Sequence, residues 1–161
     1  MRGGVWPPAL LFTALGLALA FVSRRTWGLS LVALLASLGA LTFLPVPEIW
    51  LEGAFLGCWI SVIATAANVH FVRGPSQWAA LGLSLNAGLW ASAVISLSGS
   101  RIDLLKALPC VLIFFPASWV VGRYGSIPVK VVSSWIIAVA ILAATLQLLP
   151  VTPGYLPDHL E

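Results

Sequence analysis

The sequence predicts an all-α fold: a polytopic integral membrane protein in which six transmembrane helices form one bundle with short loops. Of the 161 residues, 60% are hydrophobic and 8% are charged, whereas a soluble domain carries about 25% charged residues. The mean hydropathy of +1.04 points the same way. Six apolar stretches also approach the length of about 20 residues that a membrane-spanning helix needs. A transmembrane barrel would instead show alternating strands of about 10 residues.

The predicted spans are separated by short segments of Gly, Pro, Ser and charged residues, which are typical of loops. They cover residues 7–22, 27–44, 50–69, 77–97, 104–121 and 130–149. The chain is too short for a second domain, so we expect one transmembrane domain over residues 1–161. Its last part, residues 150–161, is a proline-rich extramembrane tail.

The positive charges predict the orientation. Arg24 and Arg25 directly follow the first span, which favours an uncleaved helix with that end in the cytoplasm. The first, third and fifth loops carry five cations, against three on the other side: Arg24, Arg25, Arg73, Arg123 and Lys130 against Arg2, Arg101 and Lys106. We therefore expect both termini outside the cytoplasm, with the protein in a membrane such as the bacterial inner membrane.

Small residues recur at every fourth position in the third and fourth spans, and residues four apart share a helix face. Such faces allow two helices to approach closely in lipid. The pattern predicts that these two spans form a tight antiparallel hairpin. Its packing positions are Gly53 and Gly57 in the third span, and Ala80, Gly88, Ser92 and Ser96 in the fourth.

Asn86 lies near the middle of the fourth span, where an amide without a partner costs several kcal/mol. It faces about 160° away from Ser84 and Gly88, which predicts a contact with a helix other than the third. One interpretation is a structural hydrogen bond between helices. The other is contact with a small neutral solute, for which the candidate residues are Asn86, Ser84, Ser61, Thr65 and Asn68.

Several kinds of chemistry are disfavoured. No ionisable residue lies at mid-depth in a span, which argues against ion-coupled transport. Catalytic motifs are absent from the sequence; the remaining enzyme hypothesis is an intramembrane enzyme at the Ser-acid segment of residues 99–103. His70 is predicted in a loop, far from His159, so no metal or cofactor site is expected. The scattered cations do not indicate nucleic-acid binding.

Two proline residues, Pro109 and Pro116, fall inside the fifth span. Because proline lacks an N–H group and clashes with the preceding turn, we expect that helix to be kinked or broken. Broken helices build solute sites in transporters, although proline kinks also occur without such a role.

The small size, the six predicted spans and the lack of mid-membrane charge resemble the substrate-binding S-components of vitamin transporters. Ala14 and Ala18 in the first span are similar to the small-residue face through which those proteins meet their partner. The predicted outside N-terminus departs from that family, and no binding residue is carried over.

Two functional hypotheses follow. The first is a non-catalytic, transport-type module that binds or passes a small, weakly polar solute. The hydroxyl-rich third and fourth spans and the interrupted fifth span favour it. The second is an accessory or scaffold subunit that packs against another membrane protein or a second copy of itself. The lack of charge at mid-depth favours the second.

Overall fold

The computed structural model describes residues 5–42, 47–71, 74–98 and 101–148, and within them the protein is helical with no strand. The predicted all-α class is therefore confirmed. The tail of residues 150–161, with His159, lies outside the described residues, as do Arg2 and Arg73. Seven α-helices follow in chain order: α1 (Trp6–Leu19), α2 (Arg24–Thr42), α3 (Leu51–Asn68), α4 (Gln77–Ser98), α5 (Arg101–Ala107), α6 (Phe114–Tyr124) and α7 (Ile127–Leu148).

Four helical segments are long and apolar enough to cross a membrane. They are Leu51–Asn68, Gln77–Leu97, Ile102–Tyr124 and Ile127–Leu148, and Trp6–Leu19 is a shorter apolar helix. Four of the six predicted spans therefore have the length and composition that a membrane crossing requires. The predicted boundaries of α3, α4 and α7 differ from the observed ones by no more than three residues, because loop residues flank these helices directly.

Helix α1 lies at the centre of the bundle. It packs against α3, α4, α7 and the segment formed by α5 and α6. Along its last two turns, Leu15, Leu17, Ala18 and Leu19 are all buried, and so is Ala14 one turn earlier. A helix that is apolar on every side belongs in such a position. Ala14 and Ala18 therefore pack inside this chain, so they do not form the outward partner-binding face that the family resemblance implied.

The fifth predicted span is broken, as its prolines indicated. Helix α5 ends at Ala107, a 3-10 segment covers Leu108–Ile113, and α6 begins at Phe114. Pro109 lies in the first turn of the 3-10 segment, where its missing N–H group leaves no helical acceptor unpaired. Pro116 lies in the first turn of α6, so it does not interrupt that helix.

The 3-10 segment packs against Gly16 of α1. A Cβ atom at this position would lie 2.6 Å from the carbonyl oxygen of Val111 and 3.3 Å from the backbone nitrogen of Phe114. Two backbones therefore meet here at a distance that no larger residue permits. This contact holds the broken helix against the central one.

Helix α1 ends three residues earlier than predicted, and the physical reason is the indole of Trp27. Its Nε1 atom donates hydrogen bonds to the carbonyl oxygens of Leu19, at 2.9 Å, and Val22, at 3.2 Å. Carbonyl groups at a helix C-terminus lack partners within the helix. The indole N–H group is a hydrogen-bond partner for two of these carbonyl groups. The chain can therefore turn at residues 20–23, and α2 begins at Arg24.

Helix α4 lies between α2 and α3, which corrects the predicted packing. A Cβ atom at Gly88 would meet Ser37 and the carbonyl oxygen of Leu34, both in α2. The close approach at Gly88 is therefore with the second helix, and its predicted contact with the third is wrong. The α3 side of the predicted hairpin retains one close contact: Gly57 lies against the ring of Trp90.

The other predicted packing positions divide between the interior and the surface. Ala80 and Ser92 are buried. Gly53 and Ser96 are exposed, and the nearest side chain to Gly53 is that of Trp50 in the preceding turn. The predicted stripe of α4 is therefore buried from Ala80 to Ser92, and it is exposed at Ser96, as α3 is at Gly53, at the ends away from the connecting loop.

Candidate functional site

The predicted solute contacts Asn86 and Ser61 meet between α4 and α3. The Nδ2 atom of Asn86 donates a hydrogen bond to Oγ of Ser61. Its Oδ1 atom accepts a bond from Nε1 of Trp90 at 3.1 Å. Asn86 therefore does contact the third helix, and the prediction that it contacts a different helix is wrong. As predicted, Asn86 and Gly88 lie on different faces of α4. However, Asn86 faces α3 and Gly88 faces α2, which is the reverse of the prediction.

The other three predicted solute contacts are the side chains of Ser84, Asn68 and Thr65. Two of them form hydrogen bonds within their own helix, and the third has no partner among the described residues. Ser84 is buried and donates to the carbonyl oxygen of Ala80 at 2.8 Å. Asn68 donates to that of Ala64, also at 2.8 Å, near the end of α3. Thr65 is fully buried, and its Oγ1 atom has no hydrogen-bond partner among the described residues.

These five side chains therefore do not line one open site. Asn86 bonds both to Ser61 of α3 and to Trp90 of its own helix, and an interhelical bond of the first kind contributes about 0.6 kcal/mol in a membrane protein. Elsewhere on α3, the carbonyl oxygen of Ala66 accepts a 2.7 Å bond from Ser133 of α7. The polar groups of α3 thus connect it to both neighbouring helices.

A cavity lies at the other side of the molecule, where α1 ends and α2 begins. Its volume is about 460 Å³, within the range of about 300–1,000 Å³ that is common for small-molecule sites. The wall combines the α1–α2 turn with one face of α6. Its residues are Ala20, Val22, Ser23, Arg24, Trp27, Phe115, Ser118 and Trp119.

Aromatic packing builds one side of this cavity. The ring of Trp27 lies 4.7 Å from that of Phe114 and 5.8 Å from that of Phe115, both with edge-to-face geometry. Phe114 is buried, whereas Phe115 and Trp119 are exposed on the outer side. The indole that ends α1 therefore also packs against the beginning of α6.

The polar groups of the cavity are two hydroxyls and one guanidinium. Ser23 interacts with Thr26 at 3.0 Å, and Ser118 donates to the carbonyl oxygen of Phe115 at 2.9 Å. The Cζ atom of Arg24 lies 5.8 Å from the centre of the Trp27 ring, within the range of a cation–π contact. The exposed Arg24 side chain is thus placed at the cavity, and within the described part of the chain none of its five N–H donors has a hydrogen-bond partner.

Sequence reasoning did not find this cavity. It used Arg24 only as an orientation signal. The wall comes from segments some 90 residues apart in the sequence, so no local pattern brings them together. The one available signal was the pair of aromatic residues directly before Pro116, since aromatic residues at a helix break often pack against another element.

His70 is exposed at the end of α3, and its Nε2 atom lies 3.4 Å from Oγ of Ser134 in α7. In the described part of the chain, no three His, Cys, Asp or Glu side chains come together as a metal site. Cys58 is buried, and Cys110 is half-buried; both are free thiols.

The fold and the cavity together define a helical protein with four membrane-length apolar helices around a short central helix. No protein-family model, curated protein or solved structure matches the chain.

Proposed function

We propose that this chain is a non-catalytic membrane protein that binds or passes a small ligand, as a transport-type module. The observation that carries the proposal is the cavity of about 460 Å³ between the α1–α2 turn and α6. Its wall offers apolar aromatic surface with a few polar groups, which is the usual composition of a small-molecule site. This cavity takes the place of the predicted solute contacts around Asn86, because those five side chains do not line one open site.

The broken fifth helix supports a binding role. Discontinuous helices build the solute sites of many transporters, since the chain at a break is free of the regular helical geometry. Here Phe115, Ser118 and Trp119 in the first turns of α6 line the cavity, directly after the 3-10 segment at Leu108–Ile113. The break thus presents these three side chains to the turn between α1 and α2.

The same proposal includes six membrane crossings with both termini outside the cytoplasm. The 14 residues of α1 extend about 21 Å at 1.5 Å per residue, less than the about 30 Å of a hydrocarbon core. A short helix is tolerated here because the surrounding helices bury α1 and separate it from lipid. Arg24 and Arg25 at the start of α2 are consistent with a cytoplasmic end.

Gentle purification followed by native mass spectrometry tests the binding role. We expect a small molecule to remain bound to the wild-type protein and to be lost from the Trp119→Ala variant, because this substitution removes an indole ring from the cavity wall. Trp135→Ala is the matched control, because that indole is exposed on α7, away from the cavity. A wild-type protein that carries no ligand, or equal retention in both variants, contradicts the proposal.

A second candidate is the accessory or scaffold subunit, and the outer face of α2 favours it. Gly28 and Gly39, about three turns apart, both have open space where a Cβ would lie. Val32 and Leu35 lie between them and are exposed. Small residues on a lipid-facing surface permit another helix to approach. In the same mass spectra, a stoichiometric protein partner that Gly28→Leu removes would favour this role.

A further inference from the structure

We propose that the ligand of this cavity is an anionic phospholipid, with its phosphate headgroup at Arg24 and its acyl chains on the outer face of α6. This inference rests on the proposed function and names the ligand class of the same site. It replaces the neutral solute expected from the sequence, because the only ionic group in the cavity wall among the described residues is a cation.

The charge distribution at this end of the molecule favours an anion. Arg24 and Arg25 begin α2, Arg123 lies in the last turn of α6 and Lys130 lies in the first turn of α7. Glu52 and Asp103 lie in the first turns of α3 and α5 and do not line the cavity. Among the described residues the cavity wall therefore holds a cation and no carboxylate, which favours an anionic ligand.

Arg24 has the geometry that phosphate recognition uses. A guanidinium offers a planar fork of donors that matches two phosphate oxygens. The indole of Trp27 lies beneath it at 5.8 Å and restricts its motion, which reduces the entropy lost on binding. The cavity wall at Ser23 and Arg24 is also the beginning of α2, where first-turn N–H groups and the helix dipole favour an anion.

The outer wall is suited to a lipid rather than to a free anion. Phe115 and Trp119 line the cavity, yet 56% and 62% of their surface remains exposed. A ligand that filled only the cavity would leave these rings uncovered on their outer side. Acyl chains that run along α6 would cover them, while the headgroup occupied the cavity. Trp119 lies near the end of the apolar segment Ile102–Tyr124, and tryptophan near the end of a membrane-spanning helix is characteristic of the headgroup region.

Lipid titration followed by native mass spectrometry in a neutral detergent tests this inference. The probes are phosphatidylglycerol and phosphatidylcholine with identical acyl chains. We expect phosphatidylglycerol to bind about tenfold more tightly or better, because its headgroup keeps the net negative charge of the phosphate, whereas the choline ammonium offsets that charge in phosphatidylcholine. Arg24→Gln should abolish this preference, whereas Arg24→Lys, which keeps the charge, should retain part of it.

Arg25→Gln is the matched control, because it removes the same net charge from a neighbouring side chain that does not line the cavity. It should retain the preference for phosphatidylglycerol. Equal losses in Arg24→Gln and Arg25→Gln overturn the inference, since they indicate a diffuse attraction to cations. Thermal unfolding of each variant, measured in parallel, identifies any loss that comes from misfolding.

Two further outcomes separate this inference from the proposed function. If both lipids bind equally and Trp119→Ala abolishes both, the cavity is a ligand site, but its preference for an anionic headgroup is refuted. If inorganic phosphate displaces phosphatidylglycerol completely, the site recognises the free anion, and the assignment to lipid is refuted. If neither lipid nor any copurified molecule binds, both proposals fail together.

Discussion

The indole nitrogen of Trp27 lies 2.9 Å from the carbonyl oxygen of Leu19 and donates a hydrogen bond to it. This bond ends the central helix, fixes the turn into α2 and places the Trp27 ring against Phe114 of the broken helix. One side chain thus connects three segments and forms part of the cavity wall.

Replacing Trp27 by Phe tests this role. The variant keeps an aromatic ring but removes the donor, so the carbonyl oxygens of Leu19 and Val22 lose their partner. We expect the free energy of unfolding to fall by about 1–3 kcal/mol, the typical cost of a buried polar group without a partner. Trp78→Phe is the control, because Trp78 is exposed. Equal thermal stability of the two variants in detergent would show that the indole bond is dispensable.

Gly16→Ala should destabilise the protein through the contact of α1 with the 3-10 segment. The added methyl would lie 2.6 Å from the Val111 carbonyl oxygen, and a backbone atom cannot move aside as a flexible side chain can. Overpacking of this kind costs about 1–3 kcal/mol. Gly82→Ala, at a helical glycine with open space, should be neutral or slightly stabilising. The expectation fails if both variants unfold at the same temperature.

Gly88→Ala should weaken the packing of α4 on α2, because its methyl would meet Ser37 and the Leu34 carbonyl oxygen. A second change, Ser37→Gly, removes the side chain in the way and should recover part of the loss. A double-mutant cycle on unfolding free energies measures this coupling. Strictly additive losses would indicate that the two residues do not meet.

Asn86→Leu should destabilise the α3–α4 contact and leave ligand binding unchanged. The substitution removes the partner of both Ser61 and Trp90, and interhelical bonds of this type contribute about 0.6 kcal/mol and up to about 1.7. Ser61→Ala should cause little further loss once Asn86 is replaced. Lost binding in a variant with normal stability would instead support the solute contact proposed from the sequence.

The membrane orientation is testable with single cysteines in a background of Cys58→Ala and Cys110→Ala. Ser23→Cys lies in the exposed α1–α2 turn, and Ile49→Cys lies in the exposed turn before α3. With an impermeant thiol reagent on intact cells, we expect Ile49→Cys to react and Ser23→Cys to react only after permeabilisation. The reverse pattern would invert the orientation, and reaction of both from outside would contradict a membrane crossing by α2.

The sequence by itself determined the all-helical class, the approximate limits of α3, α4 and α7 and the break in the fifth predicted span. These features depend on local composition: long apolar runs, flanking loop residues, and prolines that remove backbone donors. It also indicated that Asn86 and Gly88 occupy nearly opposite faces of α4, since that follows from helical periodicity alone.

Only the tertiary structure decided which helices meet those faces. Small residues permit close approach to any suitable helix, so the stripe of α4 could not distinguish α2 from α3. The sequence also did not indicate that α1 lies at the centre of the bundle, because in a membrane protein an apolar side chain can pack against either lipid or protein. The cavity likewise requires Arg24, Trp27 and Trp119 to line the same space. That arrangement depends on where α6 packs after the 3-10 segment, which no local pattern in the chain specifies.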